Sequence, residues 1–367
     1  MNIIKIGQIK NIINSNSFVG LPHKKLIGVL HQNRELLLYK DFKLQKTILF
    51  PQVGTLEKQI DKDQIVFSRD SLSVFFVDTT TFVEKSSPLT GQITAKIGND
   101  YLINNEDLVN FETGRTLKIE KNVNLFRTYG TYYPANSKGG LIFGHSKTAK
   151  ATNSFKDAEG TYVSGYSLKT GQSIWEYSLE PELGDVQRHS SNFQLDFLGN
   201  NLTQLWLLVS NGQIVVLDIH TGKELKRIGQ PIWHPTSQEA EKALHQLGRS
   251  YLEDPKWVSL NKYHYLEVST KTFKLKYVNL QEEFDRYNIS CMLSCFNKKY
   301  IYFYDSNWMS HSARGKVAVL DRKTLKIVWY WDMLKELGTA PLHIEVVDNQ
   351  LYVLDNGLTL HVFEVSN

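Results

Sequence analysis

Two cysteines, Cys291 and Cys295, and eleven histidines are the side chains here that could hold a metal or pair a nucleophile with a base. A structural zinc site is built mostly from four Cys and His ligands, which sequences supply as short, matched pairs. The cysteines stand four apart in an apolar segment with no second Cys or His cluster to complete a set, so they read as buried thiols in a strand. No histidine falls in His-Glu-x-x-His, the helical spacing that sets two imidazoles on one metal beside a general base. His220 sits in an expected turn, His264 and His361 in expected strands, and His245 on an expected helix. There is no Gly-x-Ser-x-Gly nucleophile elbow and no repeated Ser-x-Asp-x-Gly-x-Thr-Trp box. Gly144-His145-Ser146-Lys147-Thr148 lacks the glycines that let backbone amides surround a phosphate. Two carboxylates facing one pocket, as in a glycosidase, would leave no linear mark if separate repeats supplied them. The expectation is a protein without catalytic residues and without a metal site.

The elements that must position any site recur along the chain. Four segments share an apolar run, an Asp or Ser, two further residues and a Thr: Gly165 to Gln172, Val216 to Lys223, Val268 to Lys274 and Val319 to Lys326. Their threonines, 170, 221, 272 and 324, are about 51 residues apart, a period that marks a repeat architecture. Each reads as strand, turn, strand; in the copy around Thr221, Gly222 supplies the positive φ that the turn needs. Weaker copies lie at Leu36 to Ile48, Val74 to Val83 and Leu108 to Ile119, and a half-unit, Leu358 to Val365, ends the chain before its returning strand. One or two more β-like runs precede each unit, among them Leu26 to Leu30, Leu205 to Val209 and Tyr300 to Tyr304. Four short strands per unit around a ring make an all-β propeller, and the units count to eight. The count is seven if the units near residues 78 and 112, about 34 apart, share one irregular sheet. The run Asn2 to Ile9 has no hairpin of its own and is expected to give the last blade its outer strand, closing the ring and covering an open edge. The whole of residues 1–367 is expected to be a single domain.

One segment breaks the β rhythm. Thr236 with Glu239 forms a capping box, and apolar residues at 240, 243, 244, 247 and 251 follow a helical period, so an inserted helix is expected near 236–251. Net charge is +4, from 42 basic and 38 acidic residues that are scattered along the chain, which leans toward an acidic partner and away from nucleic acid. Lys5 interrupts the N-terminal apolar stretch, no cleavage site follows it, and no apolar run is long enough to span a bilayer, so a cytoplasmic protein with no membrane contact is expected.

The string Gly165-x-x-Leu168-Lys169-Thr170-Gly171-x-x-x-Trp175 resembles the blade repeat of pyrroloquinoline-quinone-type propellers. Asp321 with Thr324 and Trp329 follows the pattern with Leu325 in place of Gly, and Asp218 with Thr221-Gly222 follows it without the Trp. The resemblance implies that Asp and Thr stabilise the turn and that Trp175 and Trp329 dock one blade on the next. The family's enzymes are exported, hold calcium and usually carry adjacent cysteines against the quinone; with Cys291 and Cys295 apart, no cofactor is expected here. A WD-repeat signature is weaker, Trp331-Asp332 and Gly144-His145 each occurring once.

The extra residues give the functional expectation. Long links at Ser146 to Thr161, Glu180 to Asn192, Gln230 to Trp257 and Asp305 to Gly315 are assigned to second-to-third-strand and blade-to-blade connections, which open on one propeller face. They carry Trp233, His234, Trp308, Met309, His311 and Arg314, and the nearby link 127–136 adds Tyr132 and Tyr133. Aromatic residues and Arg dominate binding energy at interfaces, and long loops in compact domains are usually functional. The leading expectation is a non-catalytic, monomeric module that binds a protein, in its sharper form an immunity or antitoxin-like protein that caps a dedicated toxin. An enzyme or small-ligand binder with a sugar-type substrate in the central channel, or a general assembly scaffold, are the competing readings.

Overall fold

The computed structural model describes residues 1–12, 18–21, 26–31, 35–40, 43–49, 55–61, 64–68, 73–78, 80–81, 83–90, 93–97, 100–103, 107–110, 113–119, 123–125, 141–146, 162–179, 195–200, 203–209, 212–230, 250–253, 255–305, 315–347 and 349–366. Their strands pair into eight sheets of four strands each. We number them along the chain: sheet 1 spans residues 18–49, sheet 2 55–90, sheet 3 93–118, sheet 4 123–178, sheet 5 195–228, sheet 6 250–279 and sheet 7 293–332. Sheet 8 spans 341–366 and takes its fourth strand from Asn2–Ile9. In sheets 1 to 7 the strands follow chain order from one edge to the other. Residues 55–90 and 93–118 therefore form two sheets, not one irregular one.

The residues gather into two compact units, one of residues 1–92, 259–266 and 277–367, the other of residues 93–258 and 267–276. In the first, Asn2–Ile9 runs antiparallel to Leu360–Ser366, from Asn2 opposite Ser366 to Ile9 opposite Leu360, with a register shift between Lys5 and Gly7. Ile9 and Ile12 pack with Val29, Tyr352, Leu354, Leu360 and Val362, so the N-terminal segment is held by apolar burial as well as by its ladder. A second core joins sheets 7 and 8 through Tyr302, Val317, Trp331, Val353 and Phe363. In the other unit, Val163 and Trp175 of sheet 4 pack with Leu205, Leu207, Val215 and Leu217 of sheet 5.

Several middle strands are buried on both faces. Tyr300–Asp305 is buried at every residue and Ile214–Asp218 at all but its last. Double-sided burial explains why such strands read as unbroken apolar runs instead of alternating ones. The fourth strand of sheet 7, Lys326–Asp332, alternates instead: Ile327 and Trp331 are buried and Val328 and Tyr330 exposed.

The repeated turn joins third and fourth strands. In sheet 5 one oxygen of Asp218 accepts from the backbone N–H of His220 at 3.0 Å and of Thr221 at 2.8 Å, and from the Thr221 hydroxyl at 2.9 Å. Asp321 does the same for Lys323 and Thr324, and Asp78 for Thr80 and Thr81. Ser167 and Ser269 supply the anchoring oxygen in sheets 4 and 6, and Asn110 in sheet 3. In sheets 3 to 7 the residue after the Thr then takes a left-handed conformation: Gly222 at φ 68°, but also Phe273 at 56° and Leu325 at 55°.

Most of the helix expected near 236–251 lies outside the described residues, but its end is corrected: Ser250 and Tyr251 begin the strand Ser250–Glu253, the first of sheet 6. Two short helices were not anticipated, α1 (Gln281–Tyr287) and α2 (Met333–Leu337). No helix among the described residues is long and apolar enough to cross a membrane.

Candidate functional site

All eight expected interface residues, Tyr132, Tyr133, Trp233, His234, Trp308, Met309, His311 and Arg314, lie outside the described residues. Their flanking strands are described, and these correct one assignment. Residues 126–140 connect the first strand of sheet 4, Val123–Leu125, to its second, Leu141–Ser146. Residues 147–161 connect the second to the third, Tyr162–Ser167, so the two links leave opposite ends of Leu141–Ser146. The link that carries Tyr132 and Tyr133 in sequence therefore joins the opposite end of the strand Leu141–Ser146 from residues 147–161. The three-residue strand Val123–Leu125 is too short to stand out by pattern, which hid the reversal.

The link that carries Trp308, Met309, His311 and Arg314 joins the second and third strands of sheet 7, and its two roots are fixed. Asp305, the last residue before it, is buried and accepts from the Ser290 backbone N–H at 2.9 Å and the Ser290 hydroxyl at 3.0 Å. Gly315, the first after it, is pressed against α2: a Cβ there would lie 3.0 Å from Leu334 Cβ and 3.1 Å from the Thr339 carbonyl oxygen. The Leu334 N–H donates to the Gly315 carbonyl at 3.2 Å.

Helix α2 forms because Asp332 caps it, its carboxylate accepting from the Lys335 N–H at 3.1 Å, and Gly338 ends it at φ 68°. Met333 faces the core, while Leu334 and Leu337, three residues apart and so on one side, are 39% and 46% exposed. The Trp331 indole donates to Glu336 at 2.8 Å, and Lys316 sits between the Tyr287 carbonyl at 2.7 Å and Asp332 at 3.6 Å. The link's root is therefore rigid, and beside it two leucines stand in water.

A cleft of about 610 Å³ opens between α1 and the turn at Thr324. Its buried carboxylate, Glu283, accepts from the Ile327 N–H at 2.9 Å, Lys326 Nζ at 3.1 Å and Arg286 at 3.2 Å. Burial pushes Glu283 up, yet these donors outweigh it and hold its carboxyl below the usual range. With its lone pairs taken, Glu283 pins α1 onto the outer strand of sheet 7 instead of offering a base. Asp355 likewise accepts from His361 at 2.8 Å and from the Thr359 N–H at 2.9 Å inside one hairpin of sheet 8. Cys291 is buried in a bridge to Lys262 just ahead of the Leu293–Phe296 strand, and burial pushes its thiol up; Cys295, within that strand, is half-buried. His220 lies in a turn and His264 and His361 in strands, as expected; His245 lies outside the described residues.

The repeat residues are structural. The Trp175 indole donates to the Ile219 carbonyl at 2.8 Å, joining sheet 4 to sheet 5. Trp329 meets Phe363 of sheet 8 edge-on at 5.7 Å.

No protein-family model matches the chain, and no curated protein does either. Solved structures do match over their length. BamB from Moraxella catarrhalis aligns with a TM-score of 0.56 at 10% identity, covering 99% of this chain and all of that one. Sqt1 from Saccharomyces cerevisiae aligns with 0.57 at 10% identity over the whole of both chains. The computationally designed Ika8 protein aligns with 0.58 at 14% identity, covering 97% and 98%. BamB is a propeller of PQQ-like repeats and Sqt1 a WD40 propeller, so the chain has a β-propeller fold. Likeness to both does not single out the PQQ-type family.

Proposed function

We propose that the chain is a single closed ring of eight blades that binds a protein and does no catalysis. The observation that carries this is the pairing of Gly315 with α2: two exposed leucines stand at the fixed root of a link bearing Trp308, Met309, His311 and Arg314. Apolar side chains exposed beside aromatics and Arg are the composition of an interface core with anchoring residues. A rigid root lowers the entropy lost when such a link is held by a partner. In its sharper form the partner is one dedicated protein, and the chain acts as an immunity or antitoxin-like cap that blocks it sterically. The slight positive balance suits a neutral or acidic partner. Purification of the tagged protein from its native host tests this: one stoichiometric co-eluting chain supports a dedicated cap, several weak ones support a scaffold. No specific partner, together with turnover of a sugar-type substrate, would replace the proposal with the channel-enzyme reading.

A further inference from the structure

The turns that join third and fourth strands carry their own signal. In the unit of residues 93–258 and 267–276, the turns between third and fourth strands of sheets 3 to 6 are chained together. Arg115 of sheet 3 donates to the Leu168 and Lys169 carbonyls of sheet 4 at 3.2 and 3.1 Å. Trp175 of sheet 4 donates to Ile219 in the sheet 5 turn, and Gln204 of sheet 5 donates to Thr270 in the sheet 6 turn at 3.1 Å. The four turns thus form one continuous arc.

That arc is basic. Lys169, Lys223, Lys271 and Lys274 are exposed, and among the described residues none of their ammonium groups makes a salt bridge or hydrogen bond. The anchoring oxygen of the turn, which Asp could supply, comes from neutral Asn110, Ser167 and Ser269 in three of the four, so the usual compensating carboxylate is missing there. Asp218 keeps it in sheet 5 but spends it on three turn hydrogen bonds. Just behind the tips, on the outgoing strands, Ile174, Leu225 and Leu275 are exposed.

We infer that this arc of turns is a second binding surface, which takes an extended acidic segment of a protein partner with interspersed aliphatic side chains. The arrangement selects among polyanions. A phosphodiester backbone would gain nothing from Ile174, Leu225 and Leu275, and the described arginines that could fork a phosphate are committed, Arg115 to carbonyls and Arg227 to Glu224 and Tyr177. A flat anionic bilayer would meet the tips first, and these present Lys169-Thr170, His220-Thr221 and Lys271-Thr272, with the aliphatic residues set back. A narrow peptide reaches both kinds of side chain. The inference rests on these turns alone and stands whether or not the link beside α2 binds.

The test uses the full chain and a fluorescent peptide of Glu and Leu spaced by Gly and Ser, with three comparison probes: the same peptide with Leu replaced by Ser, a short duplex DNA, and phosphatidylglycerol vesicles. The expected result is salt-sensitive binding that favours the Glu/Leu peptide over every comparison probe and weakens at least about tenfold in K169E/K223E/K271E. A melting curve matching the parent's shows that the variant is folded, and I174S/L225S separates the aliphatic contribution without a charge change. Equal binding of parent and charge-reversed protein overturns the inference, as does equal or tighter binding of the Leu-free peptide, the duplex or the vesicles.

Discussion

The indole of Trp175 lies against Gly222 in the next sheet's turn, so closely that a Cβ on Gly222 would stand 2.4 Å from its ring. Gly165 makes the same approach within Trp175's own sheet, where a Cβ would also stand 2.4 Å from the ring. Both glycines make room for the tryptophan, and Gly222 adds a left-handed φ of 68°.

Gly222→Ala should therefore destabilise by about 2 to 3 kcal/mol, combining backbone strain with overpacking. Gly114 has the same φ of 68° in sheet 3 but open space around its missing Cβ. Gly114→Ala should lose only about 1 kcal/mol, and urea denaturation of the two variants measures the difference.

Glu283→Ala should cost about 2 to 4 kcal/mol, because it orphans the Ile327 N–H and unpairs Lys326. Glu283→Gln keeps an acceptor for Ile327 and should cost less. Equal losses in thermal melts would show that the contact to Ile327 is not what holds α1.

Acid should weaken the fold through Asp218, Asp321, Asp355 and Glu283. Burial raises each carboxyl, but the hydrogen bonds from Thr221, Thr324, His361 and Ile327 respectively outweigh it and leave all four below their ordinary values. Groups depressed in the folded state stabilise it fully above their unfolded pKa, and that stability is lost as pH falls through the folded value. Stability should hold down to about pH 5 and fall steadily toward about pH 3, with a shallower slope in Asp355→Asn. A pH-independent denaturation midpoint across that window contradicts this.

Removal of residues 1–9 should expose the edge of Leu360–Ser366 and uncover Leu360 and Val362, which Ile9 helps to bury. The truncated protein is expected to melt lower and to self-associate. Adding the Met1–Ile9 peptide should reverse both, as followed by light scattering.

The repeat was legible because its turn chemistry is local: Asp218 or Ser167 anchors a Thr three residues on, a relation visible in linear order. The outer strand supplied by Asn2–Ile9 was legible as a β run without a hairpin facing a unit short of one. First strands were harder, since Val123–Leu125 has only three residues, and missing it misassigned the order of the links on either side of Leu141–Ser146. Helix α2 did leave a signal, Asp332 as cap and Gly338 as stop, but five residues between them are too few for a periodic pattern. Helix α1 depends on Glu283 reaching Ile327, 44 positions away, and no local rule contains that contact. The basic arc was hidden because its lysines are scattered along the chain and meet only when the turns of sheets 3 to 6 are joined.

The most direct test of the central claim is a calorimetric titration of the co-purified partner against L334D/L337D, W308A/R314A and the turn-end variant K169E/K223E/K271E. Loss of at least about 2 kcal/mol of binding energy in the first two, with the third close to parent, is the expected result. Full affinity in L334D/L337D and W308A/R314A would contradict the assignment of the binding site to α2 and its neighbouring link.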